Sequence, residues 1–241
     1  MVRKIGVSVK KAFASLALLS FELLAALVLF LAALFVFAWF VHLIFNRQNE
    51  NFDLLVFERL ESVVSPSLTQ FMLTITSLGN HKFLIPANLI LIVYFLFIKK
   101  HKWYSIKVPV IALGGVSIML LLKEFFNRER PLVPLLEPVA GLSFPSGHAL
   151  MSMSFYGLLI IIVWEQVKNN TWKWVLTTLL LLFIFLIGFS RIYLRLHYFS
   201  DVMAGFAMGI IWLSLSIWVV GRIERYSRRK MDQLVNEQVP E

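Results

Sequence analysis

Three short polar segments of the sequence combine residue types that can bind and transfer a phosphoryl group. They are KEFFNRERP (123–131), PSGH (145–148) and SRIYLRLHYFSD (190–201). Together they supply cations, a Ser-Gly pair suited to the start of a helix, and two histidines, one with a carboxylate four residues after it. Cations and free backbone N–H groups bind phosphate oxygens, and a histidine can attack phosphorus or move a proton.

The spacing within these segments predicts which side chains point the same way. Lys123 and Arg130 are seven residues apart, close to two helical turns, so both would lie on one face of a helix that the following proline ends. His197 and Asp201 share a face if the backbone between them is helical. Arg191 lies six residues before His197 and would not share that face. We therefore expect the helix to break between Arg191 and His197.

Each segment also has a plain structural interpretation. Lys123, Arg128 and Arg130 can be cations at the membrane interface whose head groups reach water. Ser146 and Gly147 can simply shape and cap a helix start. Each histidine, taken singly, can be an ordinary interface side chain. Only the combination of all three segments favours a phosphate site.

The composition is that of a membrane protein. Of 241 residues, 59% are hydrophobic and 15% charged, with 22 Phe and 7 Trp, which is far from a water-soluble domain of this length. The net charge of +9 comes from clusters beside apolar segments, so it reports membrane topology and does not indicate nucleic-acid binding. Because the chain has no cysteine, it has no disulfides, thiolate nucleophile or cysteine metal site.

The apolar stretches predict an all-α integral membrane protein, a bundle of six transmembrane helices. They lie near 21–45, 83–98, 106–122, 149–164, 174–190 and 202–220. Residues 21–220 then form one six-span domain, preceded by a cytosolic or interfacial lead-in over 1–20 and followed by a basic cytoplasmic tail over 221–241. A cleaved signal peptide is disfavoured because the first apolar run is longer than the roughly 7–15 residues of such a segment. Residues 52–64 predict an amphipathic helix, either at the outer interface or as a connector.

The distribution of Lys and Arg predicts the orientation. Fifteen of the 23 lie in 1–20, 99–107, 165–173 and 221–241, and eight lie on the opposite side, in the predicted loops over 46–82, 123–148 and 191–200. By the positive-inside rule, both termini are cytoplasmic in the cell membrane. The three polar segments, and with them the active site, are then on the outer face.

The three segments resemble the signature of a known family. In order they read Lys123, six residues, Arg130-Pro131; then Pro145-Ser146-Gly147-His148; then Ser190-Arg191, five residues, His197, three residues, Asp201. This resembles the three-part signature of the type 2 phosphatidic acid phosphatase superfamily, the lipid phosphate phosphatases, and specifically its bacterial phosphatidylglycerophosphate and undecaprenyl diphosphate phosphatases. The resemblance covers roughly residues 20 to 220, including the six-helix layout.

The resemblance implies a role for each catalytic residue. His197 is the nucleophile that forms a phosphohistidine, and Asp201 holds its other ring nitrogen. Such a carboxylate fixes the tautomer of a neutral imidazole and stabilises the charge that develops during attack. His148 protonates the departing oxygen and then activates water.

The remaining site residues are predicted to bind phosphate. Lys123, Arg130 and Arg191 spread charge over the equatorial oxygens. Ser146 and Gly147 provide backbone N–H donors at a helix start. We expect no metal ion and no other cofactor, because these groups already supply the charge that a divalent ion would.

A phosphate pocket at the outer interface between apolar helices suits a lipid whose tail stays in the bilayer. Phosphatidylglycerophosphate, phosphatidate and undecaprenyl diphosphate all fit, and the orientation favours undecaprenyl diphosphate. The alternatives are a phosphotransferase with an acceptor other than water and a lipid-phosphate binding or transport protein without turnover. A binding protein would not need the two histidines. The predicted partners are the lipid substrate and the bilayer, with no nucleic acid and no obligatory protein partner.

Overall fold

The computed structural model describes residues 23–47, 51–136 and 140–237, in which there are eight helices and no strand. The helices are α1 (described over Leu23–Asn46), α2 (Asn51–Glu61), α3 (Pro66–Ser77), α4 (His81–Val93, continued by a π-helical turn over Tyr94–Ile98), α5 (Lys102–Phe126), α6 (Gly147–Gln166), α7 (Asn170–Tyr193) and α8 (Phe199–Glu237). The predicted lead-in over 1–20 and the signal-peptide alternative lie outside these residues.

Six helical segments are long and apolar enough to cross a membrane. They are Leu23–Asn46, Pro66–Ile98, Lys102–Phe126, Gly147–Gln166, Asn170–Tyr193 and Phe199–Leu234. Each overlaps one of the six predicted apolar stretches, although the second begins at Pro66 and not near residue 83, so the prediction of an all-α bundle with six spans is confirmed. The last helix does not end near residue 220, because α8 continues through the basic segment to Glu237.

The predicted loop over 46–82 is mostly helical. The side chain of Ser65 accepts from Leu68 N at the start of α3, and Pro66 occupies its first position, where proline costs no hydrogen bond. Asn80 caps α4 in the same way. Because α3 is anchored by the Tyr193 hydroxyl, which lies 3.1 Å from Thr69 Oγ1, this segment packs against the end of α7.

The amphipathic helix predicted over 52–64 is present as α2. Phe52 and Leu55, two apolar residues of this helix, remain about half exposed, whereas Asp53 and Phe57 are buried. One side of α2 therefore brings a carboxylate into the protein interior, which its apolar pattern did not predict.

Two glycines let α8 pack directly on the backbone of α6. A Cβ atom at Gly205 would lie 2.6 Å from Ser146 O, and one at Gly209 would lie 2.9 Å from Leu150 O. Small residues four apart allow such close packing between membrane helices. The first turn of α8 thus lies beside the start of α6, where Ser146 N donates to Asp201 O at 2.9 Å.

An aromatic cluster holds the loop that precedes α6. Phe144 is fully buried, and its ring centroid lies 4.9 Å from that of Phe126 on α5 and 5.4 Å from that of Phe45 on α1. Edge-to-face pairs of this kind add to the stabilisation from burial. The PSGH turn is therefore fixed against two membrane helices.

Candidate active site

Four helix ends meet at one end of the bundle. Lys123 lies at the end of α5, His148 at the start of α6, Arg191 at the end of α7 and Asp201 in the first turn of α8. The structure also brings in Arg130 and His197 from the connecting loops. Six of the eight predicted site residues line one cavity of about 840 Å³: Lys123, Arg130, Gly147, His148, Arg191 and His197. The other two predicted site residues, Ser146 and Asp201, are fully buried.

Arg130 reaches the cavity from a loop. The prediction that one helix carries both Lys123 and Arg130 is wrong, because α5 ends at Phe126 and Asn127 adopts a left-handed conformation with φ 44°. Asparagine tolerates this conformation and commonly ends helices. Arg130 Nε donates to Gly141 O at 2.9 Å, and Nη1 donates to Leu196 O at 2.8 Å. Two backbone carbonyls thus aim this guanidinium.

His197 lies in the turn between α7 and α8. The predicted break is confirmed, since α7 ends at Tyr193 and Arg195 adopts a left-handed conformation with φ 53°. The ring is 2% exposed, and Nε2 lies 3.3 Å from Arg130 Nη1. A guanidinium can only donate, so this contact assigns an unprotonated, accepting Nε2 and a proton on Nδ1.

The Nδ1 side of the ring faces a serine as well as the predicted carboxylate. Ser143 Oγ lies 3.3 Å from His197 Nδ1 and donates to Asp201 Oδ2 at 2.5 Å. Asp201 Oδ2 is itself 3.6 Å from Nδ1. With the hydroxyl proton directed to Asp201, Ser143 can accept from Nδ1–H. Ser143 was missed from the sequence, where nothing distinguishes it from an ordinary loop serine.

The surroundings of His197 favour its neutral form. Burial, followed by the positive charges of Arg191, Arg130 and Lys123, lowers the pKa of this imidazole well below its ordinary value. The ring is therefore neutral at physiological pH, with its Nε2 lone pair directed at the cationic end of the cavity.

Arg128 is buried and is not an interface cation. Its Nη1 donates to Asp201 Oδ1 at 2.7 Å, and its Nη2 donates to Asp53 Oδ2 at 3.0 Å. Burial alone would lower the pKa of Arg128, but Asp201 and Asp53 outweigh it and raise the pKa. Asp53 also accepts from the amide and the hydroxyl of Ser200, at 2.9 Å and 2.5 Å. Asp53 lies 147 residues before Ser200, so no local pattern indicated this contact.

The PSGH segment contributes differently at each position. His148 Nε2 is buried without a hydrogen-bond partner among the described residues, as expected of a group whose partner is a bound substrate. Gly147, the first residue of α6, lines the cavity, and the first N–H groups of a helix have no partner within it. The Ser146 N–H, predicted as a phosphate donor, donates to Asp201 O at 2.9 Å in this structure.

The other two cations, Lys123 and Arg191, are each held by one hydrogen bond. Lys123 Nζ donates to the carbonyl of Leu142. Arg191 Nη1 donates to Thr76 Oγ1 at 3.1 Å. Thr76 belongs to α3, which was predicted to be a loop. This helix therefore helps to place Arg191 in the site.

The rest of the cavity is an apolar groove between α4 and α5. From α4 it is lined by Leu84, Ile85, Leu89 and Ile92, and from α5 by Pro109, Ala112, Leu113 and Val116. The lining of α4 extends from His81 to Ile92, which corresponds to about 16 Å of helix. In the described part of the chain, no cluster of three or more His, Asp or Glu residues is placed to hold a metal ion.

A membrane bundle that joins a cationic histidine site to an apolar groove defines an integral-membrane lipid phosphatase. Residues 104–225 match the PAP2 superfamily, and the chain belongs to this superfamily, as its three-part signature predicted. It is 26% identical over 168 residues to phosphatidylglycerophosphatase B of Bacillus subtilis, covering 68% of this chain and 81% of that one. It is 28% identical over 196 residues to the undecaprenyl-diphosphatase of Sulfolobus acidocaldarius, covering 77% and 88%.

A solved structure has the same architecture. The crystal structure of a transmembrane PAP2-type phosphatidylglycerolphosphate phosphatase from Bacillus subtilis superposes with a TM-score of 0.71 and 26% identity, covering 83% of this chain and 98% of that one. The fold that the sequence predicts is therefore that of a known transmembrane phosphatase.

Proposed function

We propose that this protein hydrolyses the terminal phosphate of a membrane lipid phosphate or diphosphate through a phosphohistidine on His197. The observation that carries the proposal is the single cavity that joins the histidine site to the groove between α4 and α5. A phosphate at the polar end leaves its lipid chain along the apolar walls. Soluble phosphate esters would leave most of this cavity unfilled.

In the first step, His197 Nε2 attacks phosphorus and the bond to the lipid oxygen breaks. The Nδ1 proton stays directed at Ser143 and Asp201, which stabilise the positive ring that forms. Lys123, Arg130 and Arg191 neutralise charge on the oxygens of the transferred group.

His148 serves both half-reactions. Protonated, it donates to the departing lipid oxygen; neutral, it then removes a proton from the water that attacks the phosphohistidine. The second attack breaks the nitrogen–phosphorus bond, which releases inorganic phosphate and restores His197. General acid–base catalysis of this kind contributes about 10²–10⁴-fold.

The proposed substrate is undecaprenyl diphosphate, with phosphatidylglycerophosphate and phosphatidate as the competing lipids. The positive-inside distribution supports cytoplasmic termini and a site at the outer face, where a released diphosphate carrier presents its head group. The two named relatives act, by their names, on an undecaprenyl diphosphate and on a phosphatidylglycerophosphate. Both substrates present a terminal phosphate on a long apolar anchor.

Product analysis with purified protein tests the proposal. The three lipids and a short-chain, water-soluble phosphate ester are each incubated with the wild type and with His197→Ala protein, and free phosphate and new phospholipids are measured. We expect free phosphate from the wild type, with the highest kcat/KM for one long-chain lipid. No phosphate release from any lipid would contradict a phosphatase. A new phospholipid in place of free phosphate would identify a phosphotransferase.

A further inference from the structure

A buried acidic residue on α2 is linked to the reaction centre without facing the cavity. Asp53 is 2% exposed, and its two carboxylate oxygens accept from Ser200 N, Ser200 Oγ and Arg128 Nη2. A buried carboxylate is costly unless it is paired and hydrogen-bonded in this way. Asp53 does not line the cavity, so any effect it has on the reaction must pass through other residues.

Arg128 carries the contact from Asp53 to Asp201. Its Nη1 donates to Asp201 Oδ1, while Asp201 Oδ2 accepts from Ser143 Oγ and from Tyr198 N. Both oxygens of Asp201 thus have fixed donors, and the carboxylate cannot rotate without losing one of them. The orientation of Asp201 in turn sets where the Ser143 hydroxyl meets the ring of His197.

The buried charges of Asp53, Arg128 and Asp201 complement the positive charge that develops on the His197 ring during attack. Two carboxylates and one guanidinium, all buried, leave one net negative charge behind the Nδ1 side of His197. That charge is compensated when the ring becomes positive. The cations on the cavity side, Lys123, Arg130 and Arg191, are compensated by the substrate phosphate instead.

Aromatic contacts on both sides of Asp53 also hold α2 against the start of α8. The Phe52 ring centroid lies 5.4 Å from that of Phe199, and the Phe57 centroid lies 5.8 Å from that of Tyr198. The guanidinium of Arg128 lies over the Tyr198 ring at 4.1 Å. The start of α8 is therefore held by α2 through aromatic contacts as well as through Asp53.

We propose that Asp53 and Arg128 are positioning residues for the reaction, which hold the Asp201 carboxylate and Ser143 in place against Nδ1 of His197. The inference rests on the proposed roles of His197 and Asp201. It assigns a function to α2, a helix outside the three signature segments: its docking against α8 sets the geometry of the nucleophile.

The variant Asp53→Asn tests this while leaving the Arg128–Asp201 pair in place. We expect kcat to fall about ten- to hundred-fold, by analogy with the loss that follows removal of groups that orient metal-binding side chains. KM and the inhibition constant of inorganic phosphate should stay within about two-fold, because the phosphate-binding cations are untouched. The matched control is Glu61→Gln, which removes another α2 carboxylate that pairs with an arginine, Arg195 at 3.9 Å. This control should keep wild-type kinetics.

A double-mutant cycle separates positioning from general stability. If Asp53 acts only through Asp201, then Asp53→Asn combined with Asp201→Asn should lose no more kcat than Asp201→Asn alone. Independent structural defects would multiply instead. Unchanged kcat in Asp53→Asn, a parallel rise of KM and the phosphate inhibition constant, or multiplicative losses would each overturn the inference.

A milder variant guards against a folding defect. Ser200→Ala removes one hydrogen bond to Asp53 and one to Arg128 but keeps every charge, and it should show a smaller loss of kcat with the same unchanged KM. If neither Ser200→Ala nor Asp53→Asn yields folded protein, the role is structural and the inference is wrong. An active His197→Ala variant would contradict the proposed function, whereas an inactive one beside a fully active Asp53→Asn would overturn only this inference.

Discussion

Arg130 Nη1 lies 3.3 Å from His197 Nε2, at the ring nitrogen opposite the one that faces Ser143 and Asp201. The same guanidinium is held by two backbone carbonyls, so in the proposed reaction it fixes where the phosphate oxygens approach the ring. A phosphate bound to Arg130 therefore lies next to the Nε2 lone pair. In the proposed reaction, phosphate binding and nucleophilic attack are then on one side of His197, and the charge-stabilising groups are on the other.

The first prediction concerns the nucleophile. His197→Ala should reduce release of free phosphate by more than about 1,000-fold, since it removes the nucleophilic nitrogen that contacts Arg130. Size-exclusion chromatography in detergent should show the same folded species as the wild type. His42→Gln, which changes an exposed histidine of α1, is the control and should stay active. Phosphate release near the wild-type rate from His197→Ala would show that another group attacks.

The second prediction separates the two histidines. His148→Ala should lower kcat about 10²–10⁴-fold while inorganic phosphate inhibits as before, because the cations that bind it are retained. An aryl phosphate with an acidic leaving group needs less protonation and should lose less activity than a lipid substrate. His42→Ala, at an exposed histidine of α1 outside the cavity lining, is the matched control and should keep the wild-type kcat. Weakened phosphate binding with normal kcat would make His148 a binding residue.

The third prediction concerns protonation. Burial and three cations lower the pKa of His197, so the ring stays neutral until the pH falls through that lowered value. In histidine-labelled protein, its NMR signal, identified by its loss in His197→Gln, should not titrate between about pH 8 and pH 5. A midpoint near the ordinary value of 6.5 would contradict the electrostatic account of the site.

The fourth prediction tests the groove between α4 and α5. Ala112→Phe should narrow this groove and raise KM for a long-chain lipid roughly tenfold. Displacing two CH₂ groups of the lipid chain from the groove would cost about 1.6 kcal/mol of burial. KM for a short-chain, water-soluble phosphate should not change. Leu121→Phe, at a 69% exposed position of α5, is the control and should affect neither substrate. Equal effects of Ala112→Phe on both substrates would place the lipid tail elsewhere.

The fifth prediction concerns orientation. The chain has no cysteine, so Ser67→Cys at the start of α3 and Asn169→Cys before α7 can each be labelled without background. A membrane-impermeant thiol reagent on intact cells should label residue 67 and spare residue 169. Both should react after permeabilisation. The opposite pattern would put the site in the cytoplasm and favour phosphatidylglycerophosphate or phosphatidate as substrate.

The apolar runs and the local spacing of polar residues were sufficient to predict several features. A membrane span is a property of one continuous stretch of about 20 apolar residues, so all six spans could be identified from the sequence. The break between Arg191 and His197 followed from helical periodicity alone. The signature segments likewise identified the residues that meet at the polar end of the cavity, although their roles in the reaction stay predictions.

The features that the sequence missed depend on contacts between distant residues or on single backbone angles. The last residue of α5 is Phe126, four residues before the predicted end at Arg130. The left-handed conformation of Asn127 interrupts a pattern that is otherwise helical. The helix α3 was missed because Ser65, whose side chain caps its start, and Pro66 at its first position lie inside a segment interpreted as a loop.

Only the tertiary structure decided which groups face Nδ1 of His197. Asp53 meets Ser200 across 147 residues, and Ser143 reaches His197 from a loop that Phe144 fixes against α1 and α5. Hydrogen bonds of this kind have no period and no fixed spacing, because they exist only once the packed helices have brought the partners together. The sequence therefore determined the spans and the residues that meet at the polar end of the cavity, and helix packing decided how His197 is held.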